Sequence, residues 1–131
     1  MWAADTNVIV RLLVSDDRKQ QRAVVRRLEE ASRSGESVLV PDVVLAELSW
    51  VLDAAYGYER AQIADAIDLL STSSPFVLES SEAVREAIRL YREGPADLAD
   101  YLILCRAERL GATALVTFDR KLARHPFCQA P

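Results

Sequence analysis

A three-layer α/β/α sandwich, with a central parallel sheet of four or five short strands covered by helices on both faces, is the fold this sequence predicts. Three observations lead there. Short apolar runs alternate with longer helical patterns along the whole chain, each strand signal is separated from the next by a helix, and acidic residues stand where apolar strands end. Consecutive parallel strands need a right-handed crossover, which the intervening helices supply. A chain of 131 residues is long enough for one domain, residues 1–131, to bury a single core without disulfides or a structural metal. No internal repeat, low-complexity tract or linker divides it.

The elements follow in order. An apolar strand at residues 2–5 leads into a helix from about Asn7 to Val14. Asp16 or Asp17 caps a longer, strongly charged helix that reaches about Ser34 and stops at Gly35. Ser37-Val38-Leu39-Val40 is the second strand, and Pro41-Asp42 turns the chain into a third helix through about Tyr56, with Asp42 as its cap. After Gly57, the spacing of Ile63, Ala66, Ile67 and Leu70 gives a fourth helix, closed by Ser71 through Pro75. Phe76-Val77-Leu78 is a third strand. Ser80 or Ser81 starts a fifth helix that runs to about Glu93, where Gly94-Pro95 ends it. A sixth begins near Asp97 and buries Leu98, Tyr101, Leu102, Cys105 and Leu110 before Gly111. Ala114-Leu115-Val116-Thr117 is the next strand, and Arg120-Lys121-Leu122-Ala123 allows only a short turn or helix.

Bulk properties narrow the function. Half the residues are apolar and 27% charged, a globular composition and not a disordered one. Cys105 and Cys128 have neither ligand spacing nor a disulfide framework, which fits a reducing cytoplasm. No stretch approaches the roughly 18 apolar residues of a spanning helix, and no basic region with an apolar run opens the chain. A soluble, unexported protein is expected. The net charge of -4 argues against coating nucleic acid by bulk charge, but not against an enzyme acting on it. Arg11, Arg18, Lys19, Arg22, Arg26 and Arg27 form a basic stripe around the second helix, ordinarily a solvated face and alternatively a guide for phosphates.

Four carboxylates carry the chemistry: Asp5, Glu47, Asp100 and Asp119. Asp5 follows Trp2-Ala3-Ala4 and Asp119 follows Leu115-Val116-Thr117-Phe118, both at strand ends, where open α/β sheets bind ligands. Glu47 has Val43, Val44, Trp50 and Val51 at helical spacing and Asp100 has Ala96, Ile103 and Leu104, so both acids are expected along apolar stripes. If the first strand and the strand at residues 114–117 are neighbours, Asp5 and Asp119 stand together, and the third and sixth helices bring Glu47 and Asp100 over the same edge. Asp97, one turn before Asp100, either caps its helix or joins the acids. Such a cluster cannot stay ionised alone, because like charges and burial raise each pKa. Divalent cations resolve the conflict. Oxygen-only ligands select Mg²⁺, with Mn²⁺ able to substitute, and disfavour zinc. Two such ions roughly 3.5 to 4 Å apart serve phosphodiester hydrolysis by an activated water. Thr6, Asn7 and Thr117 offer polar groups beside the acids.

Asp5-Thr6-Asn7-Val8, Val44-Leu45-Ala46-Glu47, Asp97-Leu98-Ala99-Asp100 and Thr117-Phe118-Asp119, in that order and at those intervals, resemble a PIN domain, and more narrowly the VapC toxins of bacterial and archaeal toxin-antitoxin pairs. The resemblance covers the whole chain. It implies a Mg²⁺- or Mn²⁺-dependent endoribonuclease with Asp5, Glu47, Asp100 and Asp119 as catalytic metal ligands and Asp97 as an accessory acid. It also implies structured RNA substrates, tRNA or rRNA, a homodimer, and inhibition by a VapB-type antitoxin in a heterotetramer or larger assembly. Two other classes compete. A phosphoacceptor receiver domain would need a mid-chain strand ending in Asp, which is missing here, and a non-catalytic RNA- or protein-binding module would not need all four acids.

Overall fold

The computed structural model describes residues 1–131. The chain divides into two compact units, Met1–Glu79 and Ser80–Pro131.

The first unit holds three parallel strands, β1 (Trp2–Ala3), β2 (Val38–Val40) and β3 (Phe76–Leu78), in the order β1-β2-β3. Trp2 pairs with Val38, and Val38 in turn with Phe76, which fixes the register of the sheet. Its helices are α1 (Thr6–Leu13), α2 (Arg18–Ser34), α3 (Asp42–Tyr56) and α4 (Arg60–Thr72). Local chemistry sets their ends. The Asp17 carboxylate accepts from the Gln20 amide at 3.0 Å to cap α2, and Gly35 closes the helix at φ 72°, a left-handed conformation that side chains with a Cβ resist. Gly57 does the same for α3 at φ 66°. Glu59 and Gln62 form a reciprocal capping box at α4. The apolar rows Ile9 and Val10 of α1, Leu45, Leu48 and Leu52 of α3, and Ile63 and Ile67 of α4 are almost wholly buried with Val38 and Val40 of the sheet. Each such Leu or Ile contributes about 1.5–3 kcal/mol.

The second unit pairs α5 (Ser81–Glu93) with α6 (Leu98–Arg109), followed by β4 (Leu115–Val116), a 3-10 turn at Leu122–Arg124, and β5 (Cys128–Gln129). Val84, Ala87 and Ile88 of α5 and Leu98, Tyr101, Leu102, Leu104 and Cys105 of α6 are buried. β4 and β5 are parallel, with Leu115 opposite Cys128.

The helices lie where the periodicity puts them. The sheet differs. Five parallel strands are present, but they form a three-stranded sheet and a two-stranded sheet instead of one sheet of four or five. β1, β4 and β5 have only two residues each, so their ladders offer few hydrogen bonds beyond a single neighbour. Leu110, expected in the core, is 74% exposed, because it lies beyond the last turn of α6, where the helical phase no longer applies. Asp42 is the first residue of α3 and not its cap, which is Pro41; its amide donates to Glu79 Oε1 at 2.9 Å. No helix is long and apolar enough to cross a membrane.

Candidate active site

Within the first unit, β1 delivers Asp5 to the start of α1. Asp5 Oδ1 accepts from the Val8 amide at 3.2 Å, so the residue is the N-cap of the helix and its carboxylate has a fixed direction. The next residue, Thr6, donates its hydroxyl to Glu47 Oε1 at 3.2 Å. α1 packs on α3, and this bond brings the Glu47 carboxylate of α3 beside the Asp5-Thr6 corner. Glu47 has no arginine partner. It does not lie on the buried stripe either. Its row on α3 runs through Val43 and Trp50, which are 64% and 53% exposed, while the core face belongs to Leu45, Leu48 and Leu52. Of its apolar neighbours at helical spacing only Val44 is buried, while Val43 and Trp50 are themselves on the outside, which explains why a charged side chain is tolerated among them. Asn7 is exposed, next to the same corner.

Within the second unit, Asp97 is the N-cap residue of α6 and Asp100 stands in its first turn. The Asp97 backbone lies close enough to lower the Asp100 carboxyl slightly. Asp100 is half-buried, at the border between Leu104 in the core and Ile103, which is 54% exposed. Burial above all, and then the negative charges of Asp119 and Asp97, push its carboxyl above the usual carboxylate value, with the Asp97 backbone opposing them. Asp100 therefore feels the charges of both Asp119 and Asp97. Asp119 is held by its own loop: Oδ1 accepts from the amides of Lys121 and Leu122 at 2.9 and 2.8 Å, and Thr117 Oγ1 accepts from the Asp119 amide at 2.9 Å. Oδ2 has no backbone donor.

Asp119 thus shapes its own turn through Oδ1. Thr117 and Thr6 act here as struts for the acids. The sequence placed both threonines beside the acids as polar groups; that Thr6 would bond to Glu47 of another helix was not readable from it. His125 is structural: its Nδ1 accepts from the Phe127 amide at 3.1 Å. Both cysteines are free thiols.

The donor set suits a hard cation, being made only of carboxylate, hydroxyl and amide oxygens. The raised Asp100 carboxyl is the kind of unrelieved negative charge a cation offsets. Neither unit by itself gathers three ligating side chains into a ready-made cage.

Parallel strands followed by acids at the ends of β1 and β4, with Glu47 in the second turn of α3 and Asp100 in the first turn of α6, define an α/β protein with carboxylates at its element ends. The chain belongs to the PIN domain family, whose profile matches residues 3–127. It is similar to a VapC ribonuclease of Aquifex aeolicus (strain VF5), 29% identical over 127 residues that make up 97% of this chain and 93% of that protein.

Proposed function

We propose that the protein is a divalent-metal-dependent endoribonuclease that cleaves structured RNA, tRNA or rRNA, as the toxin of a toxin-antitoxin pair. The observation that carries this reading is the match of residues 3–127 to the PIN domain family in a chain similar to a VapC ribonuclease; the Asp100 carboxyl, raised by burial first and then by the charges of Asp119 and Asp97, supports it. Asp5, Glu47, Asp100 and Asp119 are the catalytic acids, and Asp97 is the accessory one. Together they would hold Mg²⁺, or Mn²⁺ in its place. When bound, the ion supplies positive charge for the phosphoryl group and acidifies a water molecule.

The protein's own groups do the rest. The Val8 amide holds the Asp5 carboxylate in one direction, and the Thr6 hydroxyl orients Glu47. The Lys121 and Leu122 amides fix one oxygen of Asp119 and leave the other for the site. Asn7 and Thr117 are polar neighbours for a phosphate. No side-chain nucleophile is used. In this reading the chain is one PIN domain, 1–131, of the three-layer α/β/α class. It works in the cytoplasm as a homodimer and is silenced by a VapB-type antitoxin in a heterotetramer or larger assembly.

Purified protein with Mn²⁺ is expected to cut RNA, and EDTA to stop it. Asp5→Asn is the sharpest variant because Asn caps a helix as well as Asp does, so lost activity reports chemistry and not folding. The loss is expected to exceed about a hundredfold, since even outer partners of a metal site cost about 10- to 100-fold. Calorimetry with Mn²⁺ supplies the second readout. If Asp5→Asn cuts and binds Mn²⁺ as the parent does, the site assignment is wrong.

A further inference from the structure

We infer that the outer face of α2 is a docking strip for the phosphate backbone of an RNA, separate from the acids; the inference rests on the ribonuclease reading and adds how a long substrate is held. Helix α2 contains six basic residues and two acidic ones, a net +4 in a chain whose net charge is -4. Leu28 and Ala31 mark its buried side. Lys19, Arg22, Arg26 and Arg33 point the opposite way, with Arg18 at the border, and all five are exposed.

Stability does not explain their placement. The first turn of α2 has no acid and carries Arg18 and Lys19 instead, at the helix end whose dipole favours negative charge. Arg18, Arg22 and Arg26 are spaced four apart, which stacks like charges on successive turns, an arrangement that weakens a helix. Partners are missing too. Arg27 is engaged, with Glu30 at 3.6 Å and over the Trp2 ring at 5.1 Å, but Arg18, Lys19, Arg22, Arg26 and Arg33 form no ion pair. Glu29, within helical reach of Arg26 and Arg33, pairs with neither.

The row has the form of a polyanion contact. Seventeen residues at 1.5 Å each give about 25 Å of helix, along which Arg18, Arg22 and Arg26 rise about one turn apart, with Arg33 about two turns further on. In the first unit α2 runs from beside Asp16, which Tyr56 binds, to the start of β1, where Arg27 covers Trp2. The Asp5-Thr6-Glu47 corner is formed by α1 and α3, so the strip adds reach without sharing a residue with the acids. A phosphate backbone supplies regularly spaced negative charge and would relieve the repulsion that the free helix carries.

The test uses the combined Lys19→Gln, Arg22→Gln and Arg26→Gln variant, built on Asp5→Asn so that RNA is bound without being cut. Affinity for a structured RNA is measured across a salt series. Each phosphate contact contributes about 0.7 to the slope of log affinity against log salt for single strands, so three lost contacts make it shallower by about 2. Arg85→Gln on α5 is the charge control and is expected to leave the slope unchanged. In the same series, melting at low salt without RNA is expected to rise for the α2 variant, since repulsion is removed. An unchanged slope overturns the strip, as does a lowered melting point with RNA affinity intact. Binding to an acidic protein that the variant loses while RNA binding persists overturns it as well. Mn²⁺-dependent cleavage of the same structured RNA by the protein with native Asp5 tests the ribonuclease reading separately: if the parent does not cut it, that reading fails whatever the slope shows, and if it cuts but the slope stays put, only the strip fails.

Discussion

Asp100 is the carboxylate whose surroundings most oppose its charge. Its pKa is raised from 3.8 by burial first, then by Asp119 and Asp97. A carboxyl raised on folding contributes stability while it is protonated, below its unfolded value, and loses that contribution as pH climbs through the raised value. At neutral pH, without a cation, its charge therefore weighs on the fold. Asp100→Asn is expected to melt higher than the parent in EDTA at pH 7, with the gap closing below about pH 4. Mn²⁺ should then raise the melting point of the parent and not of the variant, by mass action on the folded state. Scanning fluorimetry over pH decides it, and a variant that melts lower throughout refutes the electrostatic account. Thiol chemistry gives a second residue-level check. Cys105 is 3% exposed and burial, followed by Glu86 and Glu108, pushes its thiol up to about 11, whereas Cys128 is only partly buried. Iodoacetamide at neutral pH is expected to label Cys128 first, with Cys105 following only on unfolding, as read by mass spectrometry. At this scale the sequence was most legible where the cause is local. A carboxylate three residues before a free helix amide caps it, which is what Asp5 does. The exposure of Glu47 was hidden because Val43 and Trp50, exposed themselves, look like core on a helical wheel.

Elements are held together by a few side chains that bridge them. Tyr56 at the end of α3 donates to Asp16 Oδ2 at 2.6 Å, and Arg11 at the end of α1 reaches Asp16 Oδ1 at 3.3 Å and Gln20 of α2 at 2.5 Å. The Tyr56 hydrogen bond holds the Asp16 carboxyl below its usual 3.8 against the opposing effect of burial, and the Arg11 charge adds a smaller push in the same direction as Tyr56. A lowered carboxyl stabilises above its unfolded value and stops doing so as pH falls through the folded one. Tyr56→Phe is thus expected to lower the urea midpoint at pH 7 and to be silent near pH 2. An equal loss at both pH values would mean that packing of the ring, not the bond, is what matters. Between α5 and α6 the decisive feature is space. Gly94 has an ordinary φ of -86°, but a Cβ there would lie 2.7 Å from Tyr101 Cζ and 2.9 Å from the Leu90 carbonyl oxygen. Gly94→Ala is expected to cost about 1–3 kcal/mol by overpacking, measured as a shift in urea midpoint. The six helices were readable because each carries its own apolar period and its own stop signal. β5 was not: two residues after Pro126-Phe127 have no period to read, and only the partner strand reveals them.

The order of strands in a sheet is a property of the whole molecule, and no local pattern encodes it, since pairing joins segments far apart in the chain. That is why the four acidic motifs could be picked out by type and interval while the sheet they belong to could not be drawn. Asp5 and Glu47 belong to the first unit, and Asp97, Asp100 and Asp119 to the second. Mg²⁺ is often held by one or two carboxylates with water and phosphate completing its shell, so two arrangements predict different data. If the acids of both units serve one reaction centre, Glu47→Gln and Asp100→Asn each abolish cleavage and Mn²⁺ uptake, and the double variant is no worse than either single one, the strong non-additivity of groups acting as a unit. If each unit binds its own ion independently, each single variant keeps the other unit's binding isotherm and the losses add in the double variant. The proposed nuclease requires the first result. Calorimetry and single-turnover cleavage on the four proteins measure it directly, and additive losses would show that the acids, however well their motifs match, do not work together.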